Sequence, residues 1–140
     1  DNLLTTRARC CNPLRGEDIV GYISLGKGIV VHNKRCKNVA QLMINKDRIV
    51  DVEWAKTEKD EVQSVGILVT TENRNGMIAG ITNAIADIKT GIRDARASVS
   101  RDDRGLIEVT VEVFDKKHLD RVVTAIQHVP GVIDVERMNP

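Results

Sequence analysis

The chain has 140 residues, is 41% hydrophobic and 29% charged, and carries a formal net charge of +1. That composition excludes a disordered or low-complexity chain, and the length suits one ordinary domain or two small ones. No run approaches the roughly 18 apolar residues that span a bilayer, and no signal peptide is visible. With Tyr22, Trp54 and Phe114 as the only aromatic residues, the core must be built from Val, Ile, Leu and Ala. Residues 1–46 carry eight Lys/Arg against three Asp/Glu, an excess compatible with a phosphate-bearing partner or with an ordinary solvated surface. Three cysteines cannot close a disulfide set, so a reduced, cytoplasmic protein is expected. The chain opens on DNLLTTRAR without an initiator Met, and we read it as a piece of a longer protein.

In chain order, DIVGYIS (18–24) and GKGIVVH (26–32) predict two strands of a hairpin around a Gly-rich turn. Asn33 is placed to cap a short helix, KRCKNVAQLM, with Cys36, Val39, Ala40 and Met43 on one face. RIVDVEWA (48–55) reads as a further strand. KTEKDE (56–61) is charged and without apolar periodicity, and marks the boundary between a module at 1–58 and a domain at 59–140. Beyond it, VQSVGILVT (62–70) alternates Val65, Ile67 and Val69 on one face, and TENRNG (71–76) is a turn. MIAGITNAIADIK (77–89) sets Ile78, Ile81, Ile85 and Ile88 on a helical stripe. IRDARASVSRD (92–102) alternates Ala95, Ala97 and Val99 inward and is expected at a sheet edge. LIEVTVEVF (106–114) is a half-buried strand, KKHLDRVVTAIQHV (116–129) an amphipathic helix stopped by Pro130-Gly131, and VIDVERM (132–138) a last strand. The fold class is therefore α+β: a small hairpin-and-helix module, then a ferredoxin-like βαββαβ domain.

No catalytic constellation stands out. His118 and His128 share a helix without a nucleophile near them and read as solvated helix histidines. Cys10, Cys11, His32 and Cys36 could form a Cys3His zinc set. Adjacent cysteines reach one metal only where the backbone turns, and Pro13 makes a turn plausible. The alternative is small buried residues, since free cysteine packs as a small hydrophobe. The second candidate is the turn TENRNGMIAG. Its helix start offers unpaired N–H groups to a carboxylate, and Gly76 lets backbone approach a ligand; the alternative is a plain capped turn.

The segment CCNPLRGEDIVGYISLGKGIVVHNKRCKN resembles the conserved-cysteine, zinc-finger-like and ribosome-inter-subunit module of long RelA/SpoT-type (p)ppGpp synthetase/hydrolases. The segment from VQSVGILVTTENRNGMIAGIT to VPGVIDVER resembles the ACT domain that ends those proteins. The resemblance runs from Arg9 to Arg137. It implies a regulatory fragment of the stringent response that is not itself an enzyme, with a parent that is a GTP pyrophosphokinase or (p)ppGpp hydrolase. It implies contact with ribosomal RNA or the catalytic half through the cysteine module, and an amino acid bound at the ACT helix start near a homodimer interface. Many ACT domains of metabolic enzymes read Asp-Arg-Pro-Gly where this chain reads Asn73-Arg74-Asn75-Gly76.

On that basis a branched-chain amino acid (valine, isoleucine or leucine) is expected against Asn73, Arg74, Gly76, Met77, Ile78 and Ile81. Ala97 and Val99 would complete its walls across a dimer interface. Zinc is the expected metal at Cys10, Cys11, His32 and Cys36, and no membrane partner is expected. The alternative is a purely structural dimerisation and docking module without a small-molecule ligand.

Overall fold

The computed structural model describes residues 5–55 and 61–138. They form two compact units, each with its own four-stranded sheet. The expected boundary at 56–61 falls, except for Glu61, outside the described residues.

In the N-terminal unit β1 (Thr5–Arg7), β2 (Ile19–Ser24), β3 (Gly28–Asn33) and β4 (Ile49–Val50) make a sheet in the order β1-β3-β2-β4. The predicted hairpin is β2–β3, antiparallel from Ile19 opposite Asn33 to Ser24 opposite Gly28. Its tight turn is possible because Gly26 takes φ +80°. Gly21 is required for a different reason. A Cβ there would lie 2.8 to 2.9 Å from the side chains of Val52, Ile29 and Val50, so the sheet packs directly on its backbone.

Three expectations for this unit change. Strand β1 was not foreseen: its residues Thr5–Arg7 are all exposed and gain their order from parallel pairing with β3. The strand expected at 48–55 shrinks to Ile49–Val50, although Val52 and Trp54 stay partly buried between exposed neighbours. Trp54 is held by its Nε1, which donates to the Glu17 carbonyl at 3.0 Å, and by the Arg15 guanidinium 5.6 Å from its ring. The predicted helix after Asn33 is a single turn, α1 (Val39–Leu42), with Ala40 and Met43 exposed. Asn33 does not cap it. Its Oδ1 accepts from the Arg35 N–H at 2.9 Å and its Nδ2 donates to Glu17 at 2.8 Å. These local bonds turn the chain before a helix can start.

In the C-terminal unit β5 (Gln63–Glu72), β6 (Gly91–Val99), β7 (Arg104–Val113) and β8 (Val132–Arg137) are ordered β6-β7-β5-β8. With α2 (Met77–Asp87) and α3 (Lys116–Gln127) this is the expected βαββαβ fold. The core is aliphatic: Val65, Ile67 and Val69 of β5 and Ile107, Val109, Val111 and Val113 of β7 are buried with Ile81 and Ile85 of α2 and Leu119, Val122 and Ile126 of α3. Strand β6 is at the sheet edge. A bulge between Ile92 and Asp94 lets Ile92 and Ala95 both face inward, opposite buried Val111 and Val109.

The buried stripe of α2 is Met77, Ile81 and Ile85, while Ile78 is exposed and Ile88 half-buried. His118 is buried rather than solvated. Its Nδ1 accepts from the Phe114 N–H at 3.1 Å and its Nε2 lies 2.8 Å from the Thr90 hydroxyl. The Phe114 N–H can only donate, so the ring is neutral with its proton on Nε2. Asp115 caps α3 by accepting from the His118 N–H at 2.8 Å. His128 stays exposed, its Nδ1 2.7 Å from the Thr124 carbonyl.

Burial, then the Arg121 charge, holds the His118 imidazole below its ordinary value, while Asp115 pulls it up. An unfolded imidazole takes up its proton near pH 6.5, whereas the folded one does so only lower. The stability from this group is complete above about pH 6.5 and is lost as pH falls through the folded value. Thermal melts between about pH 7.5 and about pH 5 should therefore show a drop that is smaller in His118→Gln. An equal drop in both proteins would show that His118 does not carry it.

Candidate functional site

Among the described residues, two places bring chemistry-bearing side chains together. In the N-terminal unit the chain turns at Arg9–Cys11, closed by the Asn12 N–H on the Ala8 carbonyl at 2.9 Å, with Asn12 at φ +40°. That turn aims both adjacent cysteines the same way, which a strand would forbid. His32 comes from the end of β3, and Cys36 from the turn set by Asn33. The ligand atoms of Cys10, Cys11, His32 and Cys36 all lie within 4.8 Å of one another.

The separations suit a tetrahedral ion. Cys10 Sγ is 3.5 Å from His32 Nδ1 and 3.5 Å from Cys36 Sγ, and Cys11 Sγ is 3.9 Å from His32 Nδ1. Zinc bonds of about 2.3 Å to sulfur and about 2.0 Å to nitrogen give tetrahedral edges of about 3.8 Å and about 3.5 Å. The donor set is thus close enough to hold a metal ion, and its chemistry suits zinc. Cys11, His32 and Cys36 are buried while Cys10 is exposed. Burial pushes the Cys11 thiol up to about 12, against the pull of the Asn33 N–H that donates to its sulfur at 3.3 Å. Burial also raises Cys10, but hydrogen bonds with Asn38 and the neighbouring thiols outweigh it and its net shift is downward. Burial lowers the His32 imidazole, which favours the neutral form that a metal requires.

In the C-terminal unit a cavity of about 300 Å³ opens between the start of α2 and the end of β6. Asn73, Arg74, Gly76, Met77 and Ile78 line one side, and Ala97, Ser98 and Val99 the other. Ile81 does not line it; it is fully buried in the core. Ala97 and Val99 reach the cavity within the same chain, without a dimer partner. Both are exposed rather than packed inward, and both line this cavity.

The N-cap of α2 is Gly76 at φ +84°, with no side-chain cap and no acid in the first turn. Neither Asn73 nor Asn75 fills that role. Asn73 instead donates its Nδ2 to Asp103 Oδ1 at 2.8 Å, leaving its amide oxygen as an acceptor. Arg74 pairs with Glu72 at 3.4 Å, both about half exposed, a bond of little worth in water. The cavity therefore combines a helix start of positive dipole, an apolar wall and the Glu72 carboxylate in its lining. Sequence reasoning missed Thr71, Glu72, Ser98, Gly105 and Ile107 of the lining, and Asp103, which is outside the lining but holds the Asn73 amide. Asp103 read as part of an Asp-Arg-Gly turn, and nothing local indicated that the turn folds back onto Asn73.

Residues 1–55 match the RelA/SpoT RIS domain and residues 59–137 the ACT domain. Over 140 residues the chain is 36% identical to a GTP pyrophosphokinase of Streptomyces antibioticus, covering all of this chain and 16% of that protein. Over 136 residues it is 36% identical to the bifunctional (p)ppGpp synthase/hydrolase RelA of Mycobacterium tuberculosis, covering 97% of this chain and 18% of that protein. The chain thus spans less than a fifth of these curated relatives. Among solved structures, the ACT domain from GTP pyrophosphokinase of Chlorobium tepidum is 27% identical, covering 55% of this chain and 99% of that one at a TM-score of 0.48. The chain belongs to the ACT-domain family, and carries ahead of that domain a RelA/SpoT RIS domain.

Proposed function

We propose that this chain is a regulatory module of a cytoplasmic (p)ppGpp synthetase/hydrolase, in which an ACT domain at 59–140 senses a branched-chain amino acid. The cavity at the α2 start is the observation that carries this reading. Backbone N–H groups of Gly76, Met77 and Ile78 would take the carboxylate, where a helix start offers unpaired donors. The amide oxygen of Asn73 would take the ammonium in place of the acid absent from the turn, with Asp103, outside the cavity lining, holding the Asn73 amide through its Nδ2. Met77, Ile78, Ala97 and Val99 would meet the aliphatic side chain.

The module at 1–58 would hold zinc on Cys10, Cys11, His32 and Cys36. Bound there, zinc supplies a structural crosslink. Arg9, Lys34, Arg35 and Lys37 flank these ligands in sequence and are exposed, which suits contact with ribosomal RNA or with the catalytic half of the parent enzyme. The edge strand β6 would pair with a second copy of the chain. A monomer in light scattering at high concentration would remove that dimer.

Calorimetry with valine, isoleucine and leucine tests the amino-acid site. Selectivity between valine and leucine should be modest, because one methylene is worth only about 0.8 kcal/mol. A Cβ at Gly76 meets no atom within 4 Å, so Gly76→Ala acts through its positive φ alone. It should cost about 1 kcal/mol of stability and weaken binding. Absence of heat with all three amino acids would leave the docking-only reading, which the exposed β6 edge favours.

A further inference from the structure

We propose that Cys10 and Cys36 form a redox-modification site: a hydroperoxide converts them to an intramolecular disulfide, Cys11 stays reduced, and a metal held by the cluster is released. The metal part rests on the zinc reading above; the choice of partners rests on geometry alone.

The three sulfurs are not equivalent. Cys10 is exposed and Cys11 and Cys36 are buried, so an oxidant arriving from solvent meets Cys10 first. The Cys36 sulfur waits 3.5 Å away, close to van der Waals contact, so a small side-chain rotation completes the bond. Cys11 is the poor partner for Cys10. Neighbouring Cα atoms are only about 3.8 Å apart, below the span of about 4.4 to 6.8 Å that a disulfide prefers. Cys11 also accepts the Asn33 N–H at 3.3 Å and is fully buried, which holds its sulfur in the core.

The chemistry balances. The Cys10 sulfur attacks one oxygen of the hydroperoxide, the O–O bond breaks, and an alcohol, or water from hydrogen peroxide, departs. The Cys36 sulfur then attacks Cys10, the S–O bond breaks and water leaves. Two thiols lose two electrons and two protons, and one hydroperoxide is reduced. Only Cys11 and His32 then remain as donors, too few for a structural zinc site. The cluster at Ala8, Cys11 and Cys36, on which Val30 and Val39 pack, would pass the change into the core of the unit.

The test uses the 140-residue chain, loaded with zinc and checked by metal analysis, then treated with equimolar hydrogen peroxide beside a chromogenic chelator. Free thiols are alkylated and the chain is cut with trypsin. The expected result is loss of about one zinc per chain, with the peptide CCNPLR (10–15) linked to the dipeptide at 36–37. Fragmentation should place the alkyl group on Cys11, and dithiothreitol with added zinc should restore the metal. A link through Cys11, a link between chains, sulfinic acid without a disulfide, or zinc retained beside intact thiols would overturn the proposal. If the chain binds no zinc at the outset, the zinc reading fails by itself. The Cys10–Cys36 link is then still expected in the metal-free chain, and its absence there overturns the pairing.

Discussion

Stripping zinc from the loaded chain with a strong chelator is expected to unfold the N-terminal unit and to leave the C-terminal unit melting unchanged. Among the described residues, the buried side chains of the N-terminal unit are few: Ala8, Cys11, Pro13, Leu14, Val31, His32 and Cys36. Three of them are candidate ligands, so the centre of the core and the metal site are the same place. Units of this size rarely draw more than about 3–5 kcal/mol from a core alone, whereas a structural zinc contributes apparent values of about 10–16 kcal/mol. Binding must displace the thiol protons of the unfolded, zinc-free unit, so zinc affinity should rise with pH up to the ordinary thiol range of about 8.5 and level off above it. Cys36→Ser should act as the chelator does. Two melting transitions with zinc and one without, read by calorimetry, is the expected pattern. Two unchanged transitions after chelation would mean that packing holds the unit by itself.

Ile81→Ala should destabilise the C-terminal unit by about 2–5 kcal/mol, an expected fall in melting temperature of upwards of about 10 °C for a unit of this size. Ile81 has no exposed surface and sits among the β5, β7, α2 and α3 side chains of the core, where truncation leaves a cavity that close-packed neighbours fill only in part. Its nomination as a ligand wall came from its place on the α2 stripe, and burial gives it a different role. The contrast is Val99→Ala. Val99 is 59% exposed, so its loss should change stability by no more than about 0.5 kcal/mol. It should weaken an aliphatic ligand by up to about tenfold, through methyl groups lost from the wall. Thermal melts and titrations of both variants separate the roles. A Val99→Ala protein that binds as wild type would remove β6 from the site.

The legible parts of this molecule were those where one physical signal dominates. Alternating Val and Ile in β5 and β7 specified a sheet with one buried face, and Pro130-Gly131 after an amphipathic run specified where α3 ends. The four metal-type residues were legible as a set by residue type. The turn at the adjacent cysteines was anticipated from Pro13, but the bonds that set it were not: the Asn12 N–H on the Ala8 carbonyl, the Cys36 N–H on the Asn33 carbonyl and the Asn33 side chain on Glu17, which no periodicity announces. Helix α2 shows how tertiary packing decides between near-equal patterns. Met77 and Ile78 both precede Ile81 at helical spacing, and only the sheet's position chooses Met77. Strand β1 has no apolar signal, since Thr5, Thr6 and Arg7 are exposed and held by the backbone ladder to β3 alone. His118 was misread because its partners, Thr90 and the Phe114 N–H, are brought to it by the fold.

Amide chemical shifts of the isotope-labelled, zinc-loaded chain during titration with isoleucine decide whether the α2 start is an amino-acid site. Saturable shifts are expected at Gly76, Met77 and Ile78 and along Ala97 to Val99, with the amides of Cys10, Cys11 and Cys36 unmoved. Isoleucine at saturating concentration that leaves the α2 start and the end of β6 unshifted would contradict that assignment.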